Sequence, residues 1–198
     1  MVQASEVDGA TVRRAAAGDV GALGAVHDAL APDVRRFLAA LRLLDSHAQE
    51  DALQETFVRL VRLLPTVEPG RRLLPFTLGV ARRVALEQAR RRKRGGDAHG
   101  GEAELAAVVA PGPGVVETAA RAEESERVVA ALADLEPDQR SVVTLRFVSG
   151  LVMEELAVAI GCSVPTARAR LREASARLVV ALEARGLVRE AVQAGGAA

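Results

Sequence analysis

Two clusters, one rich in glycine and one of glycine and proline, limit what this chain of 198 residues can build. They are Gly95-Gly-Asp-Ala-His-Gly-Gly101 and Ala110-Pro-Gly-Pro-Gly114. Neither sustains a helix, because in a helix interior glycine costs about 1 kcal/mol and proline about 3 kcal/mol relative to alanine. The segment reads as a flexible tether. On either side of it apolar residues recur at three- and four-residue steps, and no stretch shows sustained strand alternation. The expected fold is all-α, with two small helical domains joined by a flexible linker. The expected boundaries are residues 10–95 for the first domain, 96–116 for an acidic linker, 117–188 for the second domain and 189–198 for a disordered tail.

In the first half, Ala22, Leu23, Val26 and Leu30 set a helical stripe, and Val34, Phe37, Leu38 and Leu41 continue it beyond Pro32. Pro32 itself is expected to stop or restart the helix. Leu53, Phe57, Leu60, Val61 and Leu64 form a strong amphipathic signature that Pro65 ends. The run from Pro65 to Arg72 is a loop by composition, and helix resumes near Leu74–Phe76, with Thr77, Val80 and Val84 on one side. A second helical unit starts near Val115–Glu117 and runs to about Leu135. Glu136-Pro137-Asp138 interrupts it, with Pro137 suited to a first helical turn. With four Phe and no Trp or Tyr, the core must be Leu, Val and Ala packing.

Formal charge balances, 26 basic against 26 acidic residues, but it is not evenly spread. From Arg82 to Arg94 there are seven basic residues and one acid, Glu87; from Gly95 to Glu126 there are seven acids and one base, Arg121. Such opposed blocks act on different partners, or fold onto one another and mask the basic surface. Cys162 stands alone, which excludes a disulfide framework and a multi-cysteine metal site, and His27, His47 and His99 show no ligand spacing. No nucleophile–base pair and no phosphate-cradling glycine loop is present, so neither a cofactor nor catalysis is expected. Cys162 reads as a small turn residue. The N-terminus lacks a charged-then-apolar leader pattern, and no apolar run approaches the ~18 residues of a membrane span. A cytoplasmic protein is expected.

The segment Glu154-Glu-Leu-Ala-Val-Ala-Ile-Gly-Cys-Ser-Val-Pro-Thr-Ala-Arg-Ala-Arg-Leu171 fits a helix-turn-helix. Leu156 and Ile160 are its buried side, Ala157 is small where helices cross, and Gly161 suits a left-handed turn. Ser163 caps the next helix, and Pro165 is tolerated in the first turn because its missing N–H has no partner there. Ala167 and Leu171 then face inward. Ser163, Thr166, Arg168, Arg170 and Arg172 are left outward or flanking, an arginine-rich entry suited to a DNA major groove.

These residues resemble a known family. Gln139-Arg-Ser-Val-Val-Thr-Leu-Arg-Phe-Val-Ser-Gly-Leu151, running into Glu154-Glu-Leu-Ala, looks like the fourth domain of bacterial RNA polymerase sigma factors. Asp51-Ala-Leu-Gln-Glu-Thr-Phe-Val-Arg-Leu60 is similar to the polymerase-binding helix of their second domain, and Ala81-Arg-Arg-Val-Ala-Leu-Glu-Gln-Ala-Arg-Arg-Arg92 resembles the helix that follows it. The ordered set resembles the extracytoplasmic-function (ECF) group and covers about 19–94 and 128–180. The resemblance implies a sigma factor that directs core polymerase to promoters. Asp51, Gln54, Glu55, Val58 and Arg62 would dock on the clamp coiled coil of the largest polymerase subunit. Arg71, Arg72, Phe76, Arg82, Arg83, Arg90, Arg91 and Arg94 would meet the −10 element, with residues 66–73 trapping an unstacked base. Ser163, Thr166, Arg168, Arg170 and Arg172 would meet the −35 element, and the second domain the polymerase flap. An anti-sigma factor is implied as a further partner. The alternative is a stand-alone helix-turn-helix regulator that acts without polymerase.

The sequence departs from the family's pattern in several places. Phe76 stands where Trp is common, Leu78 where an aromatic is frequent, and Arg83 where Asn is frequent. Val152 replaces the usual Ser/Thr cap before the first helix of the helix-turn-helix, a local loss of about 1 kcal/mol. Ala169 and Glu173 replace positions that are commonly polar and basic, so Arg168 and Arg172 are the stronger candidates on the recognition helix.

Overall fold

The computed structural model of the protein describes residues 7–68, 70–95 and 127–187. The expected linker, tail and start of the second helical unit lie outside them. Three helices at the N-terminal end each begin on an aspartate whose carboxylate accepts backbone N–H groups that the first turn leaves without a partner. Asp8 opens α1 (Gly9–Ala16), accepting from Ala10 and Thr11 at 2.8 and 2.9 Å. Asp19 opens α2 (Val20–Leu41), accepting from Ala22 at 3.0 Å, and Asp45 opens α3 (Ser46–Leu63), accepting from Ala48 at 2.9 Å.

Pro32 does not break α2, which runs on through it to Leu41. Pro32 and Asp28, one turn earlier, are both exposed, so the missing hydrogen bond falls on the solvent side of the helix. Leu30, Val34, Phe37 and Leu38, all essentially fully buried, hold the helix on both sides of the proline. The arrest at Pro65 is as expected: α3 tightens into a 3₁₀ turn over Leu64–Thr66, a short loop follows, and α4 spans Leu73–Gly95. Val61 departs from its expected place on the buried stripe and is 45% exposed. Eight positions on from Leu53, it sits about 80° round the helix, at the stripe's edge.

The C-terminal group comprises α5, which runs through residues 127–133, α6 (Pro137–Val143), a π-helical turn (Thr144–Val148), α7 (Met153–Ile160) and α8 (Val164–Glu183). Pro137 occupies the first turn of α6. The fold is all-α, and there is no strand among the described residues.

One apolar cluster passes through both groups. It joins Leu30, Phe37 and Leu41 of α2 with Leu53 and Leu60 of α3 and Leu78 of α4. It then continues into Val142, Leu145, Leu156 and Ile160 of the C-terminal group. Three buried threonines, Thr56, Thr77 and Thr144, donate their hydroxyls to the carbonyls of Ala52, Leu73 and Arg140 one turn back, so none of these hydroxyls is left without a partner in the apolar surroundings.

Two of the contacts that join the groups are made on main-chain atoms. Gly79 of α4 meets the backbone of α7 so closely that a β-carbon there would stand 2.6 Å from the carbonyl oxygen of Ala159. Arg140 of α6 is buried and forks between two helix ends. Its Nη1 donates to the carbonyls of Leu41 and Arg42 at 3.1 and 3.3 Å, and its Nη2 to those of Ala133 and Leu135 at 2.6 and 3.1 Å. Arg42 takes the left-handed conformation that ends α2, so a cation from the C-terminal group caps the negative end of an N-terminal helix. Burial draws the Arg140 pKa down, and nearby Asp134 and Glu136 oppose it.

Candidate nucleic-acid and partner interfaces

The helix-turn-helix is built as its local chemistry dictates. Leu156, Ala157 and Ile160 of α7 and Ala167 of α8 are buried, and Leu171 is half-buried. Gly161 turns the chain with φ of 68°, and the Ser163 hydroxyl accepts the Thr166 N–H at 3.4 Å. Val152, lacking a hydroxyl, offers no side-chain cap to α7. The reverse half of the capping arrangement is present, because the Glu155 carboxylate accepts the Val152 N–H at 3.1 Å. That carboxylate also pairs with Arg72, linking the loop before α4 to α7.

Ser163, Thr166, Arg168, Arg170 and Arg172 are all exposed, but they do not share a face. Arg168 and Arg172 are one turn apart on the side of α8 away from the core. Arg170 lies about 160° from Arg172 around the helix. It borders a groove of about 300 Å³ with Arg82, Asp138, Gln139, Val142 and Glu173. Glu173, which also lines that groove, accepts from the Gln139 amide at 3.1 Å.

The cations of α4 divide in the same way. Arg83, Arg90, Arg91 and Arg94 are exposed. Arg82 turns inward, with only 11% of its side chain exposed, and its Nη2 lies 2.5 Å from the Asp138 carboxylate. Its Nε donates to the Ser141 hydroxyl at 2.7 Å. Burial pulls the Arg82 pKa down, Asp138 pushes it up, and Arg170, Arg83 and Arg90 lower it further. Arg90 also reaches Asp138, at 3.2 Å.

Near the start of α4, Arg71 pairs with Glu68 at 2.6 Å and Phe76 is half-buried. Arg71, Arg72 and Phe76 line a cleft of about 830 Å³ whose other wall is the helix-turn-helix, from Glu154 to Val164.

On α3, Asp51, Gln54, Val58 and Arg62 are exposed and Glu55 is partly so, opposite buried Leu53 and Leu60. The face is therefore open to solvent, with Asp51 lying 3.3 Å from the His47 ring. Glu55 is already engaged by Arg59 at 2.7 Å. Arg59 also reaches Glu87 of α4 at 2.9 Å, which ties α3 to α4 and raises its own pKa, with Glu87 the larger cause and Glu55 the smaller.

Sequence reasoning missed Gly79, Arg140, Asp138 and Ser141. A glycine inside the helical run Phe76-Thr-Leu-Gly-Val-Ala81 was the available sign of a close backbone approach. Nothing local marks Arg140, because its acceptors on α2 are 98 and 99 residues away.

A helix-turn-helix with arginines on its second helix, beside a further cationic helix, defines a DNA-binding regulator of transcription. The family model for ECF sigma factors matches residues 13–184, and the chain belongs to that family of RNA polymerase sigma factors. It is 32% identical to the RNA polymerase sigma factor CarQ of Myxococcus xanthus over 71% of this chain and 77% of that protein. Among solved structures it is similar to CnrH in complex with the cytosolic domain of CnrY. That match has a TM-score of 0.64 at 21% identity and covers 89% of this chain and 97% of the other. It is also similar to the sigma factor RpoE in complex with the anti-sigma factor NepR from Bartonella quintana, with a TM-score of 0.56 at 26% identity over 78% and 92% of the two chains. Among the described residues, no helix is long and apolar enough to cross a membrane.

Proposed function

We propose that this sigma factor works in the cytoplasm without catalysis of its own and divides its labour between two helical domains, residues 10–95 and 117–188. The exposed α3 face of Asp51, Gln54, Glu55, Val58 and Arg62 docks on basic residues of the polymerase clamp. The outer edge of α4, Arg83, Arg90, Arg91 and Arg94, binds −10 phosphates through counterion release. Arg71, Arg72, Phe76 and Arg82 complete that surface around the unstacked base. Arg168 and Arg172 read −35 base edges, flanked by Ser163, Thr166 and Arg170. The second domain also meets the flap, and an anti-sigma factor holds the free chain.

The observation that carries this reading is that one chain presents a solvated acidic and amide face on α3 beside a cationic helix and a helix-turn-helix. A DNA-binding regulator that ignores polymerase has no use for the first. Pull-down of core polymerase and run-off transcription from promoters enriched by the holoenzyme test it. The expected result is stable capture and promoter-dependent transcripts. Asp51→Ala combined with Gln54→Ala should weaken capture about tenfold, ~1.4 kcal/mol, without loss of helicity. If core polymerase neither binds the unmodified chain nor initiates with it, the reading fails.

A further inference from the structure

The loop assigned to the unstacked −10 base does not stand alone. α1, which carries none of the residues assigned to polymerase or promoter, forms the opposite wall of a pocket of about 620 Å³. That size falls within the range of roughly 300–1,000 Å³ usual for small-ligand sites. Every lining residue lies within 7–16 or 64–72, so the pocket belongs to the N-terminal group alone.

Gly9, Val12, Arg13 and Ala16 recur at three- and four-residue steps and so share one face of α1. Val12 and Ala16 are half-buried and, with Leu64 and Val67 on the other wall, make an apolar floor. The cations around it differ. Arg71 is tied to Glu68 at 2.6 Å, and Arg72 to Glu155. Arg13 is exposed, and its guanidinium makes no hydrogen bond or ion pair among the described residues. Asp8, on the same wall, does not pair with it. That carboxylate accepts two backbone N–H groups of α1 and, at 2.6 Å, the Thr11 hydroxyl. An apolar floor beside an unpaired arginine suits a base packed on the floor with its phosphate at the rim. A base must leave the duplex stack to enter such a recess.

We propose that α1 is the second half of a single-strand site. An unpaired nucleotide of the opened promoter lies between α1 and residues 64–72, with Val12 and Ala16 packed on the base and Arg13 holding a phosphate. This rests on the assignment of that loop to the −10 element, and it makes α1 a determinant of base capture that the loop does not supply.

Arg13→Ala and Ala16→Leu test it in holoenzyme reconstituted from the full chain and core polymerase. Alanine and leucine both favour helix, so α1 should persist and the circular dichroism spectrum of the free chain should not change. The probe is a fluorescein-labelled single strand with the non-template −10 sequence of a promoter that the unmodified holoenzyme selects. A companion set replaces each base in turn by an abasic site. With the unmodified chain, one abasic position should lower affinity about tenfold. Ala16→Leu fills the floor; it should weaken the intact strand by a similar factor and erase the further loss at that position. Arg13→Ala should weaken all strands alike and flatten the salt slope by about 0.7, the share of one single-strand phosphate contact.

A holoenzyme that forms and transcribes, while both variants keep its affinity, abasic profile and salt slope, would overturn the proposal and leave capture to the loop. Failure of the unmodified chain to form holoenzyme would sink the functional reading, and this inference with it.

Discussion

At the scale of single residues, Arg140 shows how a buried cation is held without a carboxylate partner at hydrogen-bonding distance. Four carbonyl oxygens from two helix ends supply the negative pole, and only its Nε finds no acceptor. Lysine cannot reproduce this, because the planar fork spans carbonyls that a single ammonium cannot reach together. Arg140→Met keeps volume and apolar packing but strands those carbonyls. It should lower unfolding free energy by about 2 kcal/mol, within the range expected for desolvated groups left unpaired. Urea unfolding followed by circular dichroism measures it, and a loss below about 0.5 kcal/mol would show that water replaces the guanidinium at no cost.

At the scale of elements, α8 separates two kinds of arginine. Arg168 and Arg172 point from the core, whereas Arg170 borders the groove that holds Arg82. Alanine at Arg168 or at Arg172 should each cost about 1–3 kcal/mol against a polymerase-selected −35 duplex and relax base preference there. Arg170→Ala should change affinity without changing preference. Competition binding with single-base variants of the duplex separates the two outcomes. The helix-turn-helix was readable because its determinants are local: a glycine at the turn, a serine cap, a proline in the first turn and small residues at the crossing. The α3 face and the break at Pro65 were readable for the same reason. Pro32 was misread because local chemistry says stop, while Leu30, Val34 and Phe37 bury on both sides of it and overrule the local preference. The inward turn of Arg82 was not readable, since the Asp138 that draws it in lies 56 residues on.

At the scale of the whole molecule, acid should weaken the N-terminal helices. Asp8 is held below its usual ionisation range chiefly by the Thr11 hydroxyl, Asp19 by the Ala22 N–H, Asp45 by the Ala48 N–H and then Arg92, and Glu87 by Arg59. A carboxylate with a lowered pKa stabilises the fold above its unfolded value, 3.8 for Asp and 4.5 for Glu. That contribution is withdrawn as pH falls through the lowered value. Urea midpoints should therefore fall steadily below about pH 4.5. Asp45→Asn, which keeps a cap but no charge, should flatten part of that fall; an identical pH profile would remove Asp45 from the account. One further feature has a practical side. Cys162 is the chain's single sulfhydryl, half-buried in the bend between α7 and α8 at the lip of the larger cleft. A spin label or maleimide dye attached there would have one address and would need no engineered attachment point. Its spectrum would report motion of that bend against the cleft wall formed by Arg71, Arg72 and Phe76.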